Sequence, residues 1–298
     1  MSDEAAPHFD DFINNMQAGH DFLMKEFGVR PRIAWHIDPF GHSNAAPRLF
    51  AEMGFDAWFF ARLDYQDKLR RLEALEMEWL WRPFFNHTGK RTQIFTHAMY
   101  QHYSAPDGFD FDTMNDDTQP IVDDPTLETY NLDERVEAFR DWLDHMNEHY
   151  TEKGHLFCVM GDDFRFANAR QYFQSVDKLI AGFNARYDDM ELMYSTPSMY
   201  IDAIAGRESW PTKYDDMFPY ADNPLSFWTG YFTSRANDKG YIRRASHNLH
   251  GAQKLFGLQV IDQSQDQQRF LDIETASHKT MDALGVLQHH DAVTGTAK

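Results

Sequence analysis

Residues 32–43 read R-I-A-W-H-I-D-P-F-G-H-S. The span Arg32–Ile37 is a short run of apolar and aromatic residues, the pattern of a buried strand. Pro39 ends it because proline brings no N–H to a ladder, and Gly41 permits the turn that follows. Asp38 is thereby held at the C-terminal end of a strand, the place where parallel sheets collect reactive groups. An isolated strand-Asp-Pro is more often the N-cap of the next helix, so both readings stay open at this point.

Two further stretches repeat the theme. In L-F-C-V-M-G-D-D-F, Asp162 and Asp163 follow an apolar run through Gly161. Adjacent side chains on an extended backbone point to opposite sides, so one of the two is expected to share a cleft with Asp38. The alternative is that either caps a helix beginning near Asn168. In L-Q-H-H-D, His289, His290 and Asp291 lie near the end of a helical pattern. Two carboxylates after separate strands, together with an imidazole cluster, suit an acid/base–nucleophile pair or an oxygen/nitrogen metal site. His36-x-Asp38 places two side chains on one strand face, and His8-x-Asp10 repeats the spelling, but that spacing alone does not specify a metal.

Around these stretches, short apolar runs alternate with longer amphipathic ones, which predicts an α/β fold with a barrel-like, mostly parallel sheet and surrounding helices. The candidate strands are Arg32–Ile37, Ala57–Phe60, Gln93–His97, His155–Met160 and Leu192–Ser195. Val136, Phe139, Trp142, Leu143 and Met146 share one helical face, as do Tyr172, Phe173, Val176, Leu179, Ile180 and Phe183. The Asp-, Pro- and Asn-rich segment Ala105–Asp133 reads as a long surface loop. After Pro224 the strand signals stop, and Tyr241–Val260 and Ile273–Asp291 read as helices. The expected division is an α/β domain over 1–222 and the start of a helical domain over 223–298.

The 298-residue chain is 42 % hydrophobic and 15 % aromatic, enough to bury a sizeable core. Its formal net charge of -19 repels phosphate backbones and argues against a nucleic-acid partner. A single cysteine, Cys158, rules out an internal disulfide and a cysteine-based zinc cluster, and its apolar setting predicts a core residue. No stretch has the length of a membrane span, and the acidic start M-S-D-E-A-A-P lacks the pattern of a signal peptide. Asn86-His87-Thr88 spells one acceptor for N-glycosylation. Nothing in the sequence fixes an oligomeric state.

Taken in order, WHIDPFGHS, FFARLDYQDK, the Gly-Asp-Asp-Phe stretch at 161–164, FPYADNPLSFWTGYFTSR and LQHHDAVTGTAK resemble glycoside hydrolase family 38. Among its members the lysosomal α-mannosidases look closest, and the resemblance runs from about Phe9 to Lys298. It implies a retaining glycosidase that removes terminal α-linked mannose from glycans and uses Zn2+ to bind the sugar's 2- and 3-hydroxyls. Asp38 would be nucleophile and zinc ligand, Asp163 the general acid/base, and His290 a zinc ligand. Asp291 would contact sugar hydroxyls. Phe40 and Trp228 match aromatic wall positions, and Arg62 and Tyr103 match polar residues around the sugar. An Asp38 near Zn2+ and Arg62 should stay ionised, whereas Asp163 should lie by a more apolar wall that keeps its proton. A lysosomal or secretory location is implied in the same way.

The family's upstream His-x-Asp zinc motif has no counterpart ahead of Met1, and the later β-sandwich regions are likewise not in the sequence. Asp38 and His290 alone make two protein ligands where a catalytic zinc usually has three. The chain is therefore expected to be inactive by itself. Two other readings remain: a non-catalytic glycan-binding relic that keeps Trp228, Phe40 and Tyr103, and a metal-dependent hydrolase of another type, such as a deacetylase.

Overall fold

The computed structural model describes residues 1–113, 118–151, 154–207, 209–262 and 267–297. Along the chain these form α1 (Phe9–Phe27), β1 (Ile33–His36), α2 (Ala45–Glu52), β2 (Ala57–Phe60), α3 (Tyr65–Ala74), β3 (Glu78–Trp81), the single turn α4 (Phe85–Thr88) and β4 (Ile94–Ala98). Then come α5 (Leu132–Glu148), α6 (Ala169–Arg186), α7 (Pro197–Ile204), β5 (Thr212–Lys213), β6 (Ala221–Asn223), β7 (Ser226–Phe227), α8 (Ala236–Asp262) and α9 (Gln267–Leu287).

Among the described residues the central sheet has five strands in the order β1-β2-β4-β3-β5. It is mostly parallel: β1–β2, β2–β4 and β3–β5 run together, and only β3–β4 is antiparallel. All four residues of β2 are buried, because this strand is covered on both faces. On one face Trp58, Phe60, Trp79 and Trp81 pack with Phe50 of α2; on the other, Ala57 and Phe59 pack with Tyr200 of α7. Outside the sheet, α5 and α6 share a core of Val136, Phe139, Leu143, Tyr172, Val176, Leu179 and Phe183. Gly182 lets these helices approach, since a Cβ there would stand 2.8 Å from Leu132 Cδ1. Strand structure does not stop at Pro224 as expected, since β7 (Ser226–Phe227) pairs with β6 beyond it; past β7 the two expected helices are present, and α8 and α9 meet through Ile242, Leu249 and Leu284.

The strands expected at 32–37, 57–60 and 93–97 are present with small shifts of boundary. The expected strand His155–Met160 is not one. It is extended, but Phe157 and Val159 pack on the sheet-side cluster while Leu156, Cys158 and Met160 face the α5–α6 core. Its alternation comes from lying between two cores, and it joins no ladder among the described residues. Leu192–Ser195 is also not a strand: Asn184 donates to the Leu192 carbonyl at 2.8 Å and accepts from its N–H at 2.7 Å, doing the work of a neighbouring strand. The sequence reading missed β3 because it opens on Glu78. That carboxylate is buried against His97, its cross-strand partner on β4, at 2.8 Å, and it also accepts from Tyr200 Oη at 2.6 Å.

The N-terminal residues pass beside the end of α9. Asp3 N donates to the Gln288 carbonyl at 2.9 Å, and His290 N donates to the Met1 carbonyl at 3.1 Å. These bonds fix the turn after α9 against β1, and they bring His290 to Asp38.

Candidate active site

Asp38 lies just beyond β1, and Arg62 just beyond the adjacent parallel strand β2. Parallel neighbours end at the same edge, so the two side chains meet. Arg62 Nε donates to Asp38 Oδ1 at 2.7 Å and to its carbonyl at 2.8 Å, with Nη2 at 2.5 Å from Oδ1. The other oxygen, Oδ2, lies 2.8 Å from His290 Nε2. Asp38 is not a helix cap, since α2 begins after Asn44. Asp162 and Asp163 do not cap α6 either; its N-cap position is Asn168.

The electrostatics follow from this grip. Burial opposes ionisation of Asp38, but the hydrogen bond from His290 and the charge of Arg62 outweigh it and hold the carboxyl down at about 2. For His290, burial disfavours the proton while the Asp38 carboxylate favours it, and the net result is upward. His290 Nδ1 also faces the Met1 carbonyl at 3.0 Å. A carbonyl can only accept, so Nδ1 carries the hydrogen. Nε2 then meets Asp38 as a bare lone pair unless a proton or a metal ion lies between them.

Arg62 sits in an aromatic box, its Cζ 4.8 Å from the Trp228 ring centroid, 5.5 Å from Phe40, 5.8 Å from Tyr220 and 5.9 Å from Tyr103. Phe40 is buried beneath Trp228 and Tyr231, so Trp228 is the part of this wall that reaches the surface. Gly41 turns the chain behind Phe40 at φ +100°, where a Cβ would collide with Phe218 at 2.6 Å.

Tyr103 joins the two carboxylates. Its hydroxyl is 3.4 Å from Asp38 Oδ1 and 3.3 Å from Asp163 Oδ2. Of the adjacent pair, the side chain of Asp163 faces the cleft, while Asp162 Oδ1 accepts from the Asp163 N–H at 2.7 Å. The apolar wall expected beside Asp163 is not there. Its carboxyl is exposed, and the neighbouring Phe164 turns out to solvent, 92 % exposed.

Asp291 stands apart from Asp38: its Oδ1 accepts from Thr296 Oγ1 at 2.6 Å, and its backbone N–H donates to His289 Nδ1 at 2.9 Å. The donor atoms of His289, His290 and Asp291 all lie within 4.8 Å of one another. Among the described residues no third His, Cys, Asp or Glu joins Asp38 and His290 in one such cluster. The decoy His8 is the N-cap of α1, accepting from Asp10 N. His36 turns away from Asp38 into the core, because β1 ends at His36 and the strand alternation stops there.

Several groups here were not singled out by sequence reasoning. The fully buried Glu4 side chain takes His36 Nδ1 at 3.1 Å, His42 Nδ1 at 2.9 Å and the Ser43 N–H at 3.0 Å. His42 Nε2 in turn reaches the Arg62 carbonyl at 2.9 Å, so this cluster braces the Asp38–Arg62 corner from behind. The two histidines of H-I-D-P-F-G-H carried that signal; Glu4, more than thirty residues away, had none. His102, beside Tyr103, is held down at about 4 by burial and then by Arg62 and Lys68, which keeps its imidazole neutral in the cleft.

Comparison with known proteins adds to this geometry. Residues 1–223 match the family described as glycosyl hydrolases family 38 N-terminal domain, and residues 226–298 match the alpha mannosidase middle domain. The lysosomal alpha-mannosidase of Dictyostelium discoideum is 42 % identical over 301 residues, covering 99 % of this chain and 29 % of its own length. The human lysosomal alpha-mannosidase is 40 % identical over 304 residues, covering 100 % of this chain and 30 % of its own. An alpha-mannosidase of Arabidopsis thaliana is 44 % identical over 301 residues. The chain thus spans under a third of the length of these curated relatives. In fold it is similar to an alpha-mannosidase from Enterococcus faecalis, with a TM-score of 0.51 at 18 % identity over 72 % of this chain and 21 % of that one.

Proposed function

We propose that this chain, which belongs to glycoside hydrolase family 38, carries the reacting carboxylates of a retaining α-mannosidase that acts on terminal α-linked mannose of glycans. The observation that carries the reading is the Tyr103 hydroxyl set between Asp38 and Asp163 by legs of 3.4 and 3.3 Å. The two legs cap the separation of these oxygens at about 6.7 Å, the low edge of the roughly 6.5–9.5 Å of inverting enzymes, and a bent arrangement at the hydroxyl would carry it towards the ~5–5.5 Å of retaining ones. Asp38, ionised and oriented by Arg62, attacks the anomeric carbon. Asp163 gives its proton to the departing glycosidic oxygen, leaving mannose joined to Asp38 as an ester. Asp163, now a base, takes a proton from water; that water attacks the anomeric carbon and frees Asp38. Solvent exposure of Asp163 suits this proton exchange.

The family is generally metal-dependent, and the donors present suit Zn2+ in kind. Asp38 Oδ2 and His290 Nε2 face each other at 2.8 Å, sharing a proton whose place the ion would take, and the Met1 carbonyl keeps the other hydrogen on Nδ1. The ion would supply electrostatic binding of adjacent sugar hydroxyls next to the reacting carbon. With Asp38 and His290 as the converging donors among the described residues, the ion would be held loosely, so these 298 residues should show no turnover without added zinc and only slow turnover when it is supplied. Relatives named lysosomal alpha-mannosidases support a lysosomal or secretory location. No helix among the described residues is long and apolar enough to cross a membrane.

Calorimetry with mannose, before and after added Zn2+, tests the reading. Mannose should bind more tightly with zinc, and the gain should vanish in His290→Ala. Equal sugar affinity with and without metal would instead mark a glycan-binding relic built on Trp228. Clear zinc-dependent hydrolysis of a chromogenic α-mannoside, lost in Asp38→Asn, would overturn the expected inactivity while upholding the chemistry.

A further inference from the structure

The C-terminal end of α5 reads H-M-N-E-H at residues 145–149. His145 and His149 stand four residues apart and Glu148 three from His145, so all three side chains leave one helical face over its last turn. One donor atom from each lies within 4.8 Å of the other two. We propose that His145, Glu148 and His149 form a second, surface metal site that takes a borderline divalent ion, Zn2+, with water completing the coordination. It does not rest on the glycosidase reading, and its residues are separate from the Asp38 cluster.

The hydrogen bonding sets the ligands. His149 Nδ1 is 3.3 Å from the Leu72 carbonyl of α3. Since that oxygen can only accept, Nδ1 holds the hydrogen and Nε2 keeps its lone pair for a ligand. An imidazole tied through its other nitrogen to a carbonyl is the usual support of a metal ligand. The Tyr100 ring stacks on His149 at 5.7 Å and 23°, and it meets His145 edge-on at 6.4 Å and 76°, so both imidazoles are held by the same ring. His145 Nδ1 and Glu148 Oε2 are already 3.7 Å apart. Zinc bonds of ~2.0–2.2 Å imply a tetrahedral edge of about 3.3 Å. The remaining closure falls to His145 and Glu148, whose side chains are 65 % and 72 % exposed and can turn without disturbing the core.

The donor chemistry selects the ion. Two imidazoles and one carboxylate disfavour Ca2+ and Mg2+, which prefer all-oxygen shells, and the lack of a thiolate disfavours Cu(I). The competing view is that these are solvated residues at a helix C-terminus, where histidines also favour the helix dipole. That view explains the composition but not the Leu72 tether or the shared Tyr100 ring. Tyr100 is three residues ahead of Tyr103 on the segment after β4. An ion here would be held by the end of α5 alone, beside the segment that leads to the bridging tyrosine.

The test is a Zn2+ titration of the full chain by calorimetry, alongside His145→Ala/His149→Ala and His290→Ala. The proposal expects a binding event that persists in His290→Ala and is weakened at least tenfold in the double variant. Thermal stabilisation by zinc should likewise be smaller in the double variant. Isotherms that superimpose for wild type and double variant would overturn it. Should the double variant fail to fold, anomalous diffraction from zinc-soaked wild-type crystals decides. A peak about 2.0–2.2 Å from a nitrogen of His145, a nitrogen of His149 and an oxygen of Glu148 supports the site, and no peak there refutes it.

Discussion

His290 Nε2 and Asp38 Oδ2 stand 2.8 Å apart although the two residues are 252 positions apart in the chain. The contact exists because the turn after α9 is held beside β1 by the backbone of the first residues, through His290 N to the Met1 carbonyl and Asp3 N to the Gln288 carbonyl. The helical segment is thus part of the site's wall, and the Asp38 carboxylate is shared between an arginine from the sheet and an imidazole from the helices.

Arg62→Lys should keep the positive charge but lose the planar fork that grips both Asp38 Oδ1 and the Asp38 carbonyl. The expected outcome is a fall in kcat of about 10- to 100-fold in zinc-supplied assays, roughly 1.4–2.7 kcal/mol of transition-state stabilisation. Steady-state kinetics of the variant, compared with its unfolding midpoint, checks it. Unchanged kcat would mean that charge alone orients Asp38.

Tyr103→Phe removes only the hydroxyl between the two carboxylates. Burial and the Asp38 charge raise this phenol well above its ordinary value, so it stays a neutral donor at any working pH. The variant should lose about 10-fold or more in kcat, with KM and thermal stability little changed. A shift confined to KM would assign Tyr103 to sugar binding instead.

Asp3 offers a pH signature of folding. Its carboxyl is buried, and burial raises it from 3.8 to about 6, against the hydrogen bonds from Ala6, Glu4 and Ala5. A raised folded value means that the protonated form is the stable one. Stability from this group is full below about pH 4 and declines as pH rises through about 6, the loss reaching ~3 kcal/mol at neutral pH. Asp3→Asn keeps an oxygen for the Ala5 and Ala6 N–H groups. Urea unfolding between pH 4 and 7 should show a flatter profile for the variant and no loss of stability at pH 7; parallel profiles would contradict this.

Glu4→Ala should destabilise by about 3–5 kcal/mol, because the fully buried carboxylate pairs with His36 and His42 and also accepts from Ser43 N. Burial works against its charge, but His42 and then His36 more than restore it. Since His42 holds the Arg62 carbonyl, zinc-dependent sugar binding should fall along with stability. A loss under about 1 kcal/mol in chemical unfolding would mean that the cluster is not a brace.

What was legible in the sequence follows from how local each signal is. The strand end at Asp38 was written within twelve residues, as apolar run, proline and glycine. The helical faces of α5 and α6 were written in their 3.6-residue spacing. His155–Met160 misled because two-sided packing and strand pleating produce the same alternation. Glu78 hid β3, since its partners His97 and Tyr200 lie 19 and 122 residues away. Glu4 was invisible for the same reason. The strings WHIDPFGHS and LQHHDAV supplied what spacing could not, the expectation that Asp38 and His290 belong to one site. The apolar wall expected beside Asp163 came from the chemistry asked of that residue, and the structure leaves it open to solvent.

The claim at the centre is that Asp38 is the carboxylate that meets the anomeric carbon. A fluorinated α-mannosyl fluoride, which forms the glycosyl ester faster than it is hydrolysed, needs only a single turnover to report it. After long incubation of the zinc-supplied chain, peptide mass spectrometry should place one mannosyl adduct on the peptide containing Asp38, and none should form in Asp38→Asn. An adduct on another carboxylate, or no adduct under conditions where calorimetry shows mannose bound, would contradict the account.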